Sequence, residues 1–177
     1  MDFYIAQGIS ILAGIIAGIS MQLKEMKFIL IAQISTNALI AGSYFFLDGN
    51  SGMFISIIAV IQAIIMFLFN RKGVKPPIYI TIFFIILYYA STLIGYKTLL
   101  DVFPAFAATF FALSIAFDNP KCYRIFLAIN PFLWVIYDIY ATAVVNALVH
   151  GFIFISSLIA IIKYDIMKKD NNKIAQN

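Results

Sequence analysis

Charge is what this sequence has least of. Asp, Glu, Lys and Arg make up 11% of its 177 residues, against about 25% in an ordinary soluble domain. With 63% of the residues hydrophobic, the chain cannot cover a water-facing surface, which excludes a typical soluble globule and a disordered chain alike. Cysteine is reduced to Cys122, so no intramolecular disulfide can form. Histidine is reduced to His150. One thiol and one imidazole cannot build a Cys/His metal cluster, and no HExxH, GxSxG or phosphate-loop pattern occurs. No metal, no cofactor and no enzymatic activity are therefore expected. There is also no basic leader followed by a small-residue cleavage site, so the first apolar stretch is expected to stay in place.

What the chain does have is length of apolar run. Seven stretches, 3–22, 27–47, 52–70, 77–96, 98–117, 122–142 and 145–164, each approach the roughly 20 residues that an α-helix needs to cross a ~30 Å hydrocarbon layer. The expected fold is all-α, with seven transmembrane helices. Of the 12 basic residues, all but Lys97 fall on alternate connections or in the tail. The positive-inside rule then sets the amino terminus outside and the carboxyl terminus in the cytoplasm, with lipid as an obligatory partner. The net charge of +4 belongs to those connections, which face an anionic leaflet. No nucleic-acid partner is expected.

The connections are short, at Lys24 to Lys27, Asp48 to Gly52, Arg71 to Pro77, Asp118 to Pro120 and Ala141 to Ala143, so neighbouring helices run antiparallel. Laying spans one to three on spans five to seven, at an offset of 93 residues, brings Asn37 onto Asn130, Tyr44 onto Tyr137 and Glu25 onto Asp118. Three helices plus one linking helix make an even number of crossings, so the second trio enters from the same side as the first. The expected organisation is a three-helix unit over 1–72, a linker helix over 73–97, a second parallel unit over 98–167 and a cytoplasmic tail over 168–177.

Polar side chains inside hydrocarbon are costly and usually face an interior or a cavity. Asn130, Trp134, Tyr137 and Asp138 follow at i, i+4, i+7 and i+8, on one helical face. Gln33, Asn37 and Tyr44 form a second stripe. Two readings stay open: these stripes line a shared cleft, or they hydrogen-bond helix to helix. Asp138 is the one carboxylate well inside a span, and it lies within a few ångströms of the depth of His150 by the ~1.5 Å rise per residue. As a pair they would make a proton-responsive gate; otherwise they are a neutralised structural pair or reach outer water separately. Pro104 and Pro131 are read as interruptions of spans five and six, each a possible hinge. Gly14 and Gly18 form a GxxxG helix-contact motif.

Several short runs resemble the YgjV-type bacterial inner-membrane family: Tyr4-Ile5-Ala6-Gln7-Gly8, Tyr44-Phe45-Phe46-Leu47, Asp101-Val102-Phe103-Pro104, Trp134-Val135-Ile136-Tyr137 and His150-Gly151. The runs keep this order, and the resemblance covers roughly residues 3–165. More distantly, the 3+1+3 layout and the Pro131, Trp134, Tyr137 series are similar to the SWEET, PQ-loop and PnuC-like transporters, which are built from parallel repeats. That resemblance implies a tryptophan and an asparagine on consecutive helices flanking a solute. Trp134 stands at the first place and His150 at the second. The expected function is passage of a small polar or aromatic solute by alternating access, with Trp134 stacking on it. Asn37, Asn130, Tyr137 and Asn146 would contribute to the same site, and Asp138 and His150 would gate it. A non-transporting membrane receptor or assembly factor is the competing expectation, and a homo-oligomer is compatible with either.

Overall fold

The computed structural model describes residues 2–46, 50–94, 99–117, 119–140 and 144–167. Seven α-helices follow one another: α1 Asp2–Gln22, α2 Met26–Phe46, α3 Asn50–Arg71, α4 Ile78–Ile94, α5 Phe103–Ala116, α6 Pro120–Tyr140 and α7 Val144–Ile161. A 3₁₀ turn, Leu99–Val102, leads into α5, and a π turn, Ile162–Ile166, extends α7. No strand occurs among the described residues.

Local chemistry sets the helix ends. Gly73, at φ +65°, stops α3. Its N–H donates to Asn70 O at 3.0 Å, while Val74 N–H reaches back to Phe69 O at 3.1 Å. These are the two bonds of a Schellman cap, in which a left-handed residue satisfies the last carbonyls. At the start of α6, Asn119 Oδ1 accepts from Lys121 N–H at 2.9 Å. Pro120, next in line, lacks only an N–H that the first helical position leaves unused anyway.

The same argument corrects the expectation for Pro104. It does not interrupt span five but sits in the first turn of α5, just after the 3₁₀ segment. No interior helical bond is lost there, so a proline kink has no basis at that position. Pro131 does lie inside α6, where it removes the bond to the carbonyl of Leu127.

Four described segments are long and apolar enough to cross a membrane: Phe3–Gln22, Met26–Phe46, Met53–Arg71 and Asn146–Ile166. Ile78–Leu93 and Phe103–Ala116 are apolar but shorter. Their outward faces carry exposed Phe, Ile and Leu, as in Ile15, Phe54, Phe83 and Ile155. Such a surface suits lipid rather than water.

α2 packs along both α1 and α3, and α6 along both α5 and α7; α1 meets α7, α3 meets α5, and α4 lies against α3 and α5. The buried positions include many small residues, among them Ala6, Ala13, Ala17, Ala59, Ala63, Ala107 and Ala112. Small residues let backbones approach closely where no hydrophobic effect drives helices together. The α1–α7 seam is the clearest case. Gly14 faces Val149, and Gly18 faces Phe152. One turn further, Gln22 Nε2 donates to Ser156 O at 3.0 Å, and Ser156 Oγ donates to Gly18 O at 2.8 Å. The GxxxG motif thus sits in a contact, and its partner is α7.

Candidate functional site

Between the helices lies a cavity of about 120 Å³ to which all seven contribute. One water needs roughly 10–15 Å³ by the same measure, so the space admits several waters or a small solute. Its wall runs from Tyr44 and Asn146, at one end of the bundle, to Met21, Gln33 and Leu127 toward the other. No Lys, Arg, Asp or Glu is among the described residues lining it.

Most of the residues singled out in the sequence meet here. Asn37, Asn130, Pro131, Trp134, Asn146 and His150 all line the cavity. Asn130 fits both readings of the polar stripes, because it lines the space while its Nδ2 donates to Ala107 O on α5 at 2.6 Å. Asn37 Nδ2 donates to Gln33 O, one turn back on its own helix, at 2.8 Å. Only the amide nitrogen can donate to a carbonyl, so these bonds fix which amide end is used.

Trp134 and His150 stack, with ring centroids 5.4 Å apart and planes 16° from parallel. One face of the indole is thereby covered. Tyr137 is not part of the lining but meets Trp134 edge-on at 5.9 Å. The side chain of Asp138 lies outside the described residues. What His150 is seen to hold is Trp134, on the preceding helix. Pro104 is buried in α5 and is not among the lining residues.

The sequence reading missed the buried group at the Gln33 end of the cavity. Ser20, Gln33 and Tyr123, all buried, form a triangle beneath the cavity. Gln33 Nε2 donates to Tyr123 Oη at 2.6 Å and to Ser20 Oγ at 3.1 Å, and the two hydroxyls lie 2.8 Å apart. One signal was present: Tyr123 stands seven residues before Asn130, on the same helical face. Tyr123→Phe should lower stability by about 1–3 kcal/mol, since it strands a buried amide donor. Equilibrium unfolding of the purified protein in mixed detergent would measure it, and an unchanged midpoint would mean that the Tyr123 hydroxyl contributes nothing to stability.

Next along α6, Arg124 makes a two-pronged ion pair with Asp165. Nε donates to Oδ2 at 3.0 Å and Nη2 to Oδ1 at 2.8 Å. The two side chains are 6% and 8% exposed. Arg124 Nη1 also reaches Leu23 O, at 3.4 Å, where α1 ends. The guanidinium and the Lys24 and Lys163 ammonium groups lie 5.0–5.4 Å from the Tyr164 ring centre. Counted in the sequence as one more base of a connection, Arg124 is instead a buried strut.

Apolar helices with lipid-compatible outer faces, around a largely apolar cavity that carries several amides and hydroxyls, define a multi-pass membrane protein. The family model Imp-YgjV, described as bacterial inner membrane protein, matches residues 4–168, and the chain belongs to that family. Comparison with curated proteins and with solved structures gives no match.

Proposed function

We propose that the protein passes a small solute across the bacterial inner membrane by alternating access. The observation that carries this reading is the cavity inside an apolar bundle, with Gln33, Thr36, Asn37, Asn130 and Asn146 in its wall. Thr36 lines that cavity, and its Oγ1 is buried with no hydrogen-bond partner. A buried hydroxyl without a partner is costly, which favours an occupant that supplies one.

The helix contacts suit two trios, α1–α3 and α5–α7, related by a pseudo-twofold axis. Under that axis the α1–α7 contact corresponds to the α5–α3 contact, and α4 serves as the inverting link. These contacts support a 3+1+3, SWEET-like reading, which parallel repeats rocking around a midplane site would fit. The basic end, with Lys24, Lys72 and Lys121, would face the cytoplasm. The present conformation would then be closed inward, by the Tyr123 triangle and the Arg124–Asp165 strut. Trp134, Asn37, Asn130 and Asn146 would hold the solute, Pro131 would permit α6 to bend, and Asp138 with His150 would sit at the outer mouth.

Site-directed labelling tests the cycle. With Cys122→Ser as background, Asn146→Cys and Leu127→Cys place thiols at opposite ends of the cavity wall. An impermeant maleimide should reach Asn146→Cys from the outer side and, in a fraction of molecules, Leu127→Cys from the inner side. Labelling confined to the outer side at both positions would replace transport with a one-sided receptor of the same fold.

A further inference from the structure

The outer face of the bundle carries an open groove along the α3–α4 contact, walled by Ile58, Ile61 and Ile65 on one side and Tyr79, Phe83 and Leu87 on the other. Phe84 forms its floor, at 3% exposure, while Ile61, Tyr79 and Phe83 stand open at its rims. Ile58 to Ile65 and Tyr79 to Leu87 each cover about 10–12 Å at the rise of an α-helix. One leaflet supplies about 15 Å of the hydrocarbon layer, so the groove follows most of the depth of an acyl chain.

Its upper end meets the α3–α4 connection: Ile65 lies six residues before Arg71, and Tyr79 four after Lys75. Arg71, Lys72 and Lys75 are exposed there, and none of them is in an ion pair among the described residues. No Asp or Glu occurs between Asp48 and Asp101. The connection is also well ordered. The Gly73 cap fastens its first half to α3, Pro76 and Pro77 fix φ in its second half, and Ile80 N–H donates to Pro77 O at 3.0 Å as α4 begins. Three cationic side chains thus stand at the mouth of an apolar groove, on a backbone that binding does not have to order. A zwitterionic headgroup brings its own cation to that mouth, whereas an anionic one meets bases with no nearby acid.

We infer that the α3–α4 groove is a site for one anionic phospholipid, its acyl chain along Ile61 and Phe83 and its phosphate at Arg71, Lys72 and Lys75. The groove shares no residue with the cavity wall, so the inference stands whether or not a solute passes there.

Quenching by brominated acyl chains tests it on the full-length protein in phosphatidylcholine vesicles. Trp134 is the sole tryptophan, so in a Trp134→Phe background Tyr79→Trp reports from the mouth of the groove. Phe28→Trp supplies the comparison, because Lys27 Nζ lies 5.7 Å from the Phe28 ring centre but Phe28 is outside the groove. At equal content, brominated phosphatidylglycerol should bind at Tyr79→Trp on the order of fivefold better than brominated phosphatidylcholine, with a clearly smaller preference at Phe28→Trp. Arg71→Gln, Lys72→Gln and Lys75→Gln together should abolish the preference. Glycerol 3-phosphate, which has the charge and no acyl chain, should not compete. Native mass spectrometry of the protein with Trp134 in place repeats the comparison: retained phosphatidylglycerol should fall in the triple variant.

Equal preference at both reporters assigns the effect to diffuse surface charge and overturns the site, as does a preference that survives the triple variant. Unchanged retention in the mass spectra overturns it even where the reporter variants fail to fold. Displacement by glycerol 3-phosphate would make the connection an anion site with no lipid. Absence of quenching at Tyr79→Trp by either lipid also rejects the site, and crosslinking of Ile61→Cys between copies would then give the groove to a second copy of the chain.

Discussion

Arg124→Met is expected to destabilise the fold by about 3–5 kcal/mol, the usual cost of leaving one member of a buried ion pair behind. Asp165 would be left at 8% side-chain exposure with both guanidinium hydrogen bonds gone. The carbonyl of Leu23 would lose a donor as well. Asp165→Leu alone should be similarly harmful, because the guanidinium would then be the stranded charge. The informative variant is the double one, Arg124→Met with Asp165→Leu. An apolar pair of similar volume is often as stable as the ion pair it replaces, or more so. Unfolding of the double variant should therefore return close to wild type. If the strut also holds the inner end shut, Leu127→Cys in the double variant should label faster from the basic side. Restored stability with unchanged labelling would leave the pair a role in folding alone.

The second large effect is expected at the α1–α7 seam. A Cβ added to Gly14 would lie 2.5 Å from Val149 Cγ1. Valine is β-branched and stiff about χ1, so the collision can be relieved only by parting the helices. Gly14→Ala should cost about 1–3 kcal/mol, the range found for overpacking. At Gly18 the Cβ would meet Phe152 Cε1 at 2.6 Å, but that ring is 54% exposed and can swing outward. Gly18→Ala should therefore be milder. Gly8 supplies the control: nothing lies within 4 Å of its added Cβ, so Gly8→Ala should be neutral or stabilising by up to about 1 kcal/mol. Unfolding midpoints of the three variants should rank Gly8, Gly18, Gly14 from most to least stable. Equal effects at Gly8 and Gly14 would mean helix propensity, rather than close approach, explains the motif.

Comparison of these two places shows what was legible in the sequence. Helix number and approximate limits follow from apolar run length, and the Asn130–Trp134 face follows from helical periodicity, because both are local properties of the chain. Gly14 and Gly18 announced a contact, but not that α7 would be the partner. The Arg124–Asp165 pair joins residues 41 apart and depends on how two helix ends converge, which no local pattern encodes. Its arginine also stands three residues from Lys121, which invites a loop assignment. Pro104 was misplaced because the apolar run is broken only by Asp101 across the Leu99–Val102 turn, too little to mark where 3₁₀ gives way to α-helix. Thr36 passed unnoticed because a threonine in a membrane helix ordinarily satisfies itself on its own backbone.

The π turn at Ile162–Ile166 carries a consequence of its own. Its bonds reach one residue further along the chain than those of an α-helix, so a π turn behaves as a one-residue insertion in an otherwise regular register. Removing one residue within the turn would let it close as α-helix with little rotation, whereas removing one from the regular part of α7 before it would turn Asp165 by about 100°. In the second case Asp165 would swing off the side that meets Arg124 although every amino acid of the pair remained. The ion pair at the basic end is thus sensitive to chain length as well as to side-chain chemistry, and a deletion can undo it where no substitution has been made.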